Sequence, residues 1–219
     1  MASWRHKPAA RSDTWIVYRQ APRAFPPLWH QGSRSQPTEQ PAGRWHREGG
    51  GLIVQYASLD SDGAWAELVR YEGIRTEEQR LAAEIRVRLW KLTVEETKIA
   101  DLSTFDLIEA CGLDPVRVVA EEHDYCQALA QELRDTGYRG VLAPSAAMPD
   151  VVNLSLFGPR REIPFRDIRS GQKNPRPDYF IPVQITADDT APPDDVLDYT
   201  RHHDDPHTGL ERWLQAKNP

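Results

Sequence analysis

The chain has 219 residues and a net charge of −6, and hydrophobic residues make up 39% of it. This length is sufficient for one domain with a hydrophobic core, and the acidic balance argues against a protein that binds nucleic acid through its phosphates. No apolar run approaches membrane-spanning length and no secretory signal is visible, so we expect a cytoplasmic protein without a membrane contact.

The N-terminal part is predicted to hold two strands separated by a long loop. Residues 1–13 are polar and are expected to form a flexible N-terminus. Residues 14–19 and 52–56 are short apolar runs typical of strands. The segment at residues 21–41 is rich in proline and serine, and it is either a lid over a site or a flexible insertion.

The remaining elements mix helices with strands. A helix opened by Ser61 and Asp62 is predicted to run to Tyr71, with Trp65, Leu68 and Val69 as its buried stripe. Further helices are predicted at residues 76–83, 101–111, 121–136 and 210–216, and strands at residues 85–94, 138–144, 151–157 and 179–186. Because helices and strands do not alternate regularly, the fold class is predicted to be α+β.

The residue types that usually bind metals give no firm site. The C-terminal tail groups three histidines with two aspartates, but it has neither cysteine nor helical spacing, so a solvated tail is favoured. These residues are His202, His203, Asp204, Asp205 and His207. Cys111 and Cys126 lie in apolar helical patterns and are predicted to be reduced, buried thiols. We therefore predict no metal cofactor.

Five polar residues end or adjoin predicted elements and are candidates for one site: Arg19, Arg44, Tyr56, Glu67 and Ser145. Arginine offers forked donors for phosphate, tyrosine a flat ring for a base, and glutamate a charge that stabilises a cationic sugar. This set suits cleavage of the N-glycosidic bond of a dinucleotide, whose transition state resembles an oxocarbenium ion. From the residues alone, Arg44 can equally be a structural cap or ion pair and Glu67 a solvated helix residue.

Two neighbouring features also have two interpretations. The glycines at residues 49–51 can cradle phosphate or form a tight turn before the strand. His46 can act as a base or as a hydrogen-bonding side chain, and the second is the more common role.

Resemblance to a known family gives these residues a more specific meaning. The chain resembles the RES-domain family, whose members are the toxin halves of bacterial type II toxin–antitoxin pairs. The resemblance covers residues 14–165, with weaker support to residue 186. Six matches carry it, in the family's order: Tyr18-Arg19, Gly43-Arg44-Trp45-His46, Gln55-Tyr56-Ala57-Ser58, Ala66-Glu67-Leu68-Val69, Pro144-Ser145-Ala146, and Asn153 with Leu156-Phe157-Gly158-Pro159-Arg160.

The resemblance implies a single mixed domain at residues 14–186, similar to ADP-ribosyltransferases, with a central split β-sheet and flanking helices. The residues that name the family correspond to Arg44, Glu67 and Ser145, which are catalytic on this interpretation. NAD is the implied substrate, with Glu67 steadying the ribosyl cation. The implied NAD-binding residues are Tyr18, Arg19, Arg44, Tyr56, Ser145 and Asn153.

The implied function is an NAD glycohydrolase or phosphorylase that depletes NAD and arrests growth unless a cognate antitoxin binds it. Two alternatives stay open: a mono-ADP-ribosyltransferase that modifies a protein, and a non-catalytic module that binds a nucleotide or an antitoxin. The residues do not decide whether the acceptor is water, inorganic phosphate or a protein. The chain departs from the family at the 21–41 loop, at Gly158, where many members have Asn, and in the acidic Pro/Asp-rich C-terminal extension at residues 187–219.

Overall fold

A computed structural model describes residues 4–23, 27–28, 40–50, 52–83, 87–158, 183–188 and 191–218. The strands are β1 (Ala9–Pro22), β2 (Val54–Ser58), β3 (Val87–Asp101), β4 (Gly140–Pro144), β5 (Val152–Phe157) and β6 (Val183–Asp188). The helices are α1 (Ser61–Tyr71), α2 (Glu77–Ala82), α3 (Phe105–Ala110), α4 (Pro115–Val118), α5 (Asp124–Asp135), α6 (Val196–Tyr199) and α7 (Thr208–Lys217). Most of the predicted loop at residues 21–41 lies outside the described residues.

The strands form one sheet that closes on itself. Their order is β1-β2-β5-β4-β3-β6, and β1 also pairs with β3, so β1, β2, β5, β4 and β3 make a ring. β1 and β3 are antiparallel along nearly their whole length, from Ala9↔Asp101 to Pro22↔Val87. The other edge of β1 meets β2 at Tyr18↔Ser58, which completes the closure.

The prediction of a split sheet is therefore wrong. The sheet closes because β1 extends beyond its apolar middle and pairs with β3 along that extension. Only the middle of β1 alternates buried and exposed side chains, whereas its first five residues, from Ala9 to Asp13, are exposed. Those residues belong to the segment expected to be flexible, yet they pair with the end of β3. A ring leaves fewer unpaired strand edges than a split sheet, which favours closure.

The ring separates an apolar interior from an outer face covered by helices. Alternate side chains of β1, β3, β4 and β5 fill the interior: Trp15, Val17, Leu92, Val94, Ile99, Leu142, Leu154 and Leu156. On the outer face, α3, α4 and α5 pack on β2, β4 and β5, and α1 packs in a separate cluster with Leu89 and Val196. A candidate site residue on a strand therefore faces either the apolar interior of the ring or the helices on its outer face.

Several sequence predictions are confirmed. The helix expected to run from Ser61 to Tyr71 has those bounds, and Asp60 caps it by accepting hydrogen bonds from two main-chain N–H groups. Its predicted stripe of Trp65, Leu68 and Val69 is buried. Cys111 and Cys126 are free and buried, as predicted. Among the described residues, no helix is long and apolar enough to cross a membrane.

The C-terminal extension is not the solvated tail that its composition indicated. His202 and His207 are buried, at 7% and 5% exposure, because α6 and α7 fold back against the domain. His203 is exposed, in agreement with the prediction. No group of three His, Cys, Asp or Glu residues in the described part of the chain is placed to hold a metal ion.

We predict that stability falls as the pH drops below about 6.5. Burial lowers the pKa of His46, His202 and His207 from the ordinary value of 6.5, so the unfolded chain binds more protons than the folded one in this range. The three histidines contribute fully to the free energy of unfolding when the pH is above their pKa in the unfolded chain. This contribution is lost as the pH falls through their lower pKa values in the folded chain. Thermal melts at pH 7.5 and 5.5 measure the effect.

Exposed His6 provides the control for this measurement. A His6→Asn variant keeps the drop in melting temperature between the two pH values, whereas His207→Asn reduces it. A wild-type chain that melts at the same temperature at both pH values, or at a higher one at pH 5.5, contradicts the prediction.

Candidate active site

The centre of the candidate site is the carboxylate of Glu67 on α1. One of its oxygens, Oε1, accepts two hydrogen bonds, from Ser145 Oγ at 2.8 Å and from Asn153 Nδ2 at 2.7 Å. The other oxygen, Oε2, has no hydrogen-bond partner within the described ranges, and the side chain is partly exposed. The carboxylate is thus oriented through one oxygen while the other is available to a ligand.

Ser145 directly follows β4 and is fully buried. Its Oγ accepts hydrogen bonds from the main-chain N–H groups of Ala147 and Met148, each at 3.1 Å. Because the carboxylate of Glu67 can only accept, the hydroxyl hydrogen points to Glu67. In this geometry the Ser145 hydroxyl fixes the position of Glu67 Oε1.

Asn153 lies in β5, where it pairs with Ala143 of β4 and Ser58 of β2. Its side chain is on the outer face, since its neighbour Leu154 points into the interior. Nδ2 is committed to Glu67, and the buried Oδ1 has no partner in the described part of the chain. A buried amide oxygen without a donor is costly unless a ligand or water supplies one.

Gly63 allows α1 to come close enough for these contacts. It lies one turn before Glu67 on the same face of the helix. A Cβ at this position would be 2.6 Å from Ser58 Oγ and 2.6 Å from Val151 Cγ1. The helix therefore rests directly on the end of β2 and on the loop that carries Ser145.

A tight turn at residues 43–46 holds Tyr56. Gly43 and His46 exchange main-chain hydrogen bonds, and a Cβ on Gly43 would meet the Tyr56 hydroxyl at 2.7 Å. The N–H of Trp45 donates to that hydroxyl at 2.9 Å. His46 Nε2 donates to the carbonyl of Pro41, so the neutral ring accepts from Tyr56 at Nδ1. His46 is thus a hydrogen-bonding residue of the turn.

Arg44 is at the corner of this turn and is partly buried. Its Nη1 donates to the carbonyls of Val118 at 3.0 Å and Ala120 at 2.7 Å, at the end of α4. Burial raises the pKa of the Tyr56 phenol, while the nearby charge of Arg44 lowers it and that of Glu67 raises it. Arg44 precedes Trp45, whose N–H binds the Tyr56 hydroxyl, so the main chain of Arg44 lies next to that hydroxyl.

Arg19 approaches Tyr56 from the other side of the sheet. It shares a face of β1 with Trp15 and Val17, which fill the interior. Its Nη1 donates to the carbonyl of Tyr56 at 2.6 Å and its Nε to that of Pro27 at 2.9 Å. Burial lowers the pKa of Arg19 to about 10.

Tyr18 points to the outer face with its strand partner Ser58 and packs against the α1 cluster. The structure thus brings five predicted residues together on the outer face: Arg44, Tyr56, Glu67, Ser145 and Asn153. Tyr18 is beside them under α1, and Arg19 is separated from them by the main chain of β2.

Sequence reasoning missed two residues next to Ser145. His207 donates to the carbonyl of Ser145, and Arg201 donates to the carbonyl of Ala146. Both belong to the C-terminal extension, which is distant in sequence and has no motif that points to this contact. Gly63 was also missed, although a glycine inside a helix is a recognisable sign of close packing.

The chain belongs to the RES domain family, whose pattern matches residues 15–178. A relative from Mycobacterium tuberculosis, named Probable NAD(+) phosphorylase, is 33% identical over 138 residues, which cover 59% of this chain and 63% of the relative. The chain thus aligns with less than two thirds of that relative. A chain of the M. tuberculosis MbcT–MbcA toxin–antitoxin complex has a similar fold, with a TM-score of 0.55, 21% identity and coverage of 84% of this chain and 87% of that one.

We predict that Gly63→Ala lowers both stability and any activity that depends on Glu67. Alanine favours a helix by about 1 kcal/mol over glycine, but the new methyl group must displace α1 from stiff Val151, and overpacking costs about 1–3 kcal/mol. Thermal melting and the rate of the reaction proposed below measure the outcome. Helix propensity alone predicts a variant that is more stable than wild type. That result would contradict the close packing of α1 against Ser58 and Val151.

Proposed function

We propose that this protein is a toxin-type enzyme that cleaves the nicotinamide–ribose bond of NAD in the cytoplasm, with phosphate as the preferred acceptor. The observation that carries the proposal is the carboxylate of Glu67, which Ser145 and Asn153 orient through one oxygen. Membership of the RES domain family supports it, as does the name of the phosphorylase relative.

In this mechanism the bond between ribose C1′ and the nicotinamide nitrogen breaks, and the electron pair leaves with nicotinamide. The ribose then carries positive charge, which Glu67 Oε2 stabilises, while Ser145 and Asn153 prevent the carboxylate from turning away. Opposite charges about 4 Å apart attract by about 4 kcal/mol at an effective dielectric constant of about 20. An attraction of this size accelerates the reaction by about 10³ if it exists only in the transition state.

The remaining residues are assigned to binding. Arg44 has a fork that suits the pyrophosphate, and Tyr56 places a flat ring beside it. Tyr18 stays in the proposal as an NAD-binding residue. Arg19, expected from the sequence to bind NAD, is assigned instead to holding the main chain of Tyr56, because it donates to that carbonyl from the interior face. The unpartnered Oδ1 of Asn153 suits a hydroxyl or amide donor of the nicotinamide riboside.

Phosphate completes the reaction by forming a bond from one of its oxygens to C1′, which gives ADP-ribose 1-phosphate. The phosphate dianion needs no further base to act as a nucleophile, whereas water must lose a proton. A cognate antitoxin that covers the cleft is proposed on the likeness to a chain from a toxin–antitoxin complex.

We predict that Glu67→Gln lowers nicotinamide release from NAD by at least about 100-fold, on the scale of losing one preorganised electrostatic group. The glutamine carbonyl can still accept from Ser145 and Asn153, so the variant removes the charge and keeps the geometry. Glu72→Gln, at an exposed residue at the end of the same helix, is the matched control and keeps wild-type activity.

The assay incubates each chain with NAD, with and without phosphate, and separates the products by chromatography. Equal release by the wild type and Glu67→Gln removes Glu67 from the mechanism. ADP-ribose 1-phosphate indicates phosphorolysis and free ADP-ribose indicates hydrolysis. A mass-shifted protein indicates ADP-ribosyl transfer, and binding of NAD without turnover indicates a non-catalytic module.

A further inference from the structure

The C-terminal extension, described at residues 191–218, lies outside the stretch that matches the family, yet it contacts the loop that carries Ser145. That loop connects β4 to β5 and spans residues 145–151. It includes Asp150 in a left-handed backbone conformation, with φ of 69°. The exposed Arg212 of α7 pairs with the carboxylate of Asp150.

Arg201 donates two hydrogen bonds to main-chain carbonyls of the loop. Its main-chain N–H donates to the carbonyl of Ala147 at 2.7 Å, and its Nη1 donates to the carbonyl of Ala146 at 2.9 Å. Its Nε donates to the carbonyl of Asp205 at 2.9 Å, which fixes the guanidinium against its own segment. The side chain is 10% exposed.

His207 holds the same loop one residue earlier. Its Nε2 donates to the carbonyl of Ser145 at 2.9 Å, and its Nδ1 accepts from the N–H of Leu210 at 3.1 Å, so it also caps α7. Main-chain carbonyls at residues 145, 146 and 147 are therefore all bonded by the extension.

The same arginine is also bonded to the helix that carries Glu67. Arg70, three residues after Glu67 in α1, donates through Nη1 to the carbonyl of Arg201 at 2.6 Å. Arg70 is 6% exposed, and both arginines pair with the carboxylate of Glu121. The main-chain bonds of residue 201 to Arg70 and Ala147 do not depend on its side chain. The guanidinium of Arg201 joins the carbonyl of Ala146 to the Glu121 carboxylate that Arg70 also binds, so the side chain connects the Ser145 loop to α1 through Glu121.

We infer that Arg201 is a positioning residue that holds α1 and the 145–151 loop in the register needed for the Glu67–Ser145 hydrogen bond. The inference rests on the proposed function, because it assigns Arg201 a part in the same reaction. Two buried arginines that share the partly exposed carboxylate of Glu121 are weak evidence for stability, because their desolvation offsets the attraction. A displacement of about 1 Å at reacting groups can cost about 100-fold in rate.

The test compares Arg201→Gln and Arg201→Lys with the control Arg75→Gln. Arg75 forms an exposed pair with Asp204 of the same extension but has no contact with the 145–151 loop among the described hydrogen bonds and ion pairs. We expect Arg201→Gln to lower kcat for nicotinamide release by about tenfold or more, with the KM for NAD changed less than about twofold. Arg201→Lys keeps the charge and a donor and falls between Arg201→Gln and wild type.

A double-mutant cycle separates positioning from a general loss of stability. If Arg201 acts through Ser145, adding Arg201→Gln to Ser145→Ala lowers kcat by less than about twofold. The same tenfold loss in both backgrounds overturns the inference, as does a folded Arg201→Gln with wild-type kcat.

Amide hydrogen exchange gives a second readout that does not need activity. The N–H groups of Ala147 and Met148, which donate to Ser145 Oγ, exchange faster in the Arg201 variants and unchanged in Arg75→Gln. Unchanged exchange in a folded Arg201 variant overturns the inference. A wild-type chain that releases no nicotinamide refutes the proposed function, whereas this exchange measurement still decides whether Arg201 holds the loop.

Discussion

The paired hydrogen bonds to one oxygen of Glu67 are the contact on which the candidate site depends. They join α1 to the end of β4 and to β5, and they leave the second oxygen of the carboxylate for a ligand. The contact requires a helix with no side chain at Gly63, a strand register that puts Asn153 on the outer face, and a loop that buries Ser145. Each requirement is met by a different part of the chain, so the residues of the candidate site are far apart in sequence.

Closure of the sheet gives the two arginines different surroundings. Arg44 is on the outer face with Tyr56 and Glu67, while Arg19 is on the interior face and bonds the main chain of Tyr56. The proposed dinucleotide site on the outer face therefore uses Arg44 and Tyr56. Arg19 donates to the main-chain carbonyl of the same tyrosine, so it fixes the backbone of β2 at that residue.

The sequence patterns correctly predicted the helices and strands whose formation depends on neighbouring residues in the chain. The helix bearing Glu67, its buried stripe and the strands that carry Tyr56 and Asn153 follow from caps and periodicity. The ring closure did not, because the polar start of β1 has no strand pattern and is ordered by its pairing with β3. The burial of His207 and Arg201 could not be predicted from the sequence either, because their hydrogen-bond partners are main-chain carbonyls more than fifty residues away.

The most direct test of the account is a crystal structure of the Glu67→Gln variant with bound NAD, since this variant keeps the site's hydrogen bonds and slows turnover. We predict that C1′ of the nicotinamide ribose lies within about 4 Å of the residue 67 side chain, with the pyrophosphate against Arg44. NAD bound elsewhere, for example in the hollow of about 400 Å³ lined by His46, Leu52 and Gln131, with no ligand atom against the residue 67 side chain, would contradict this mechanism.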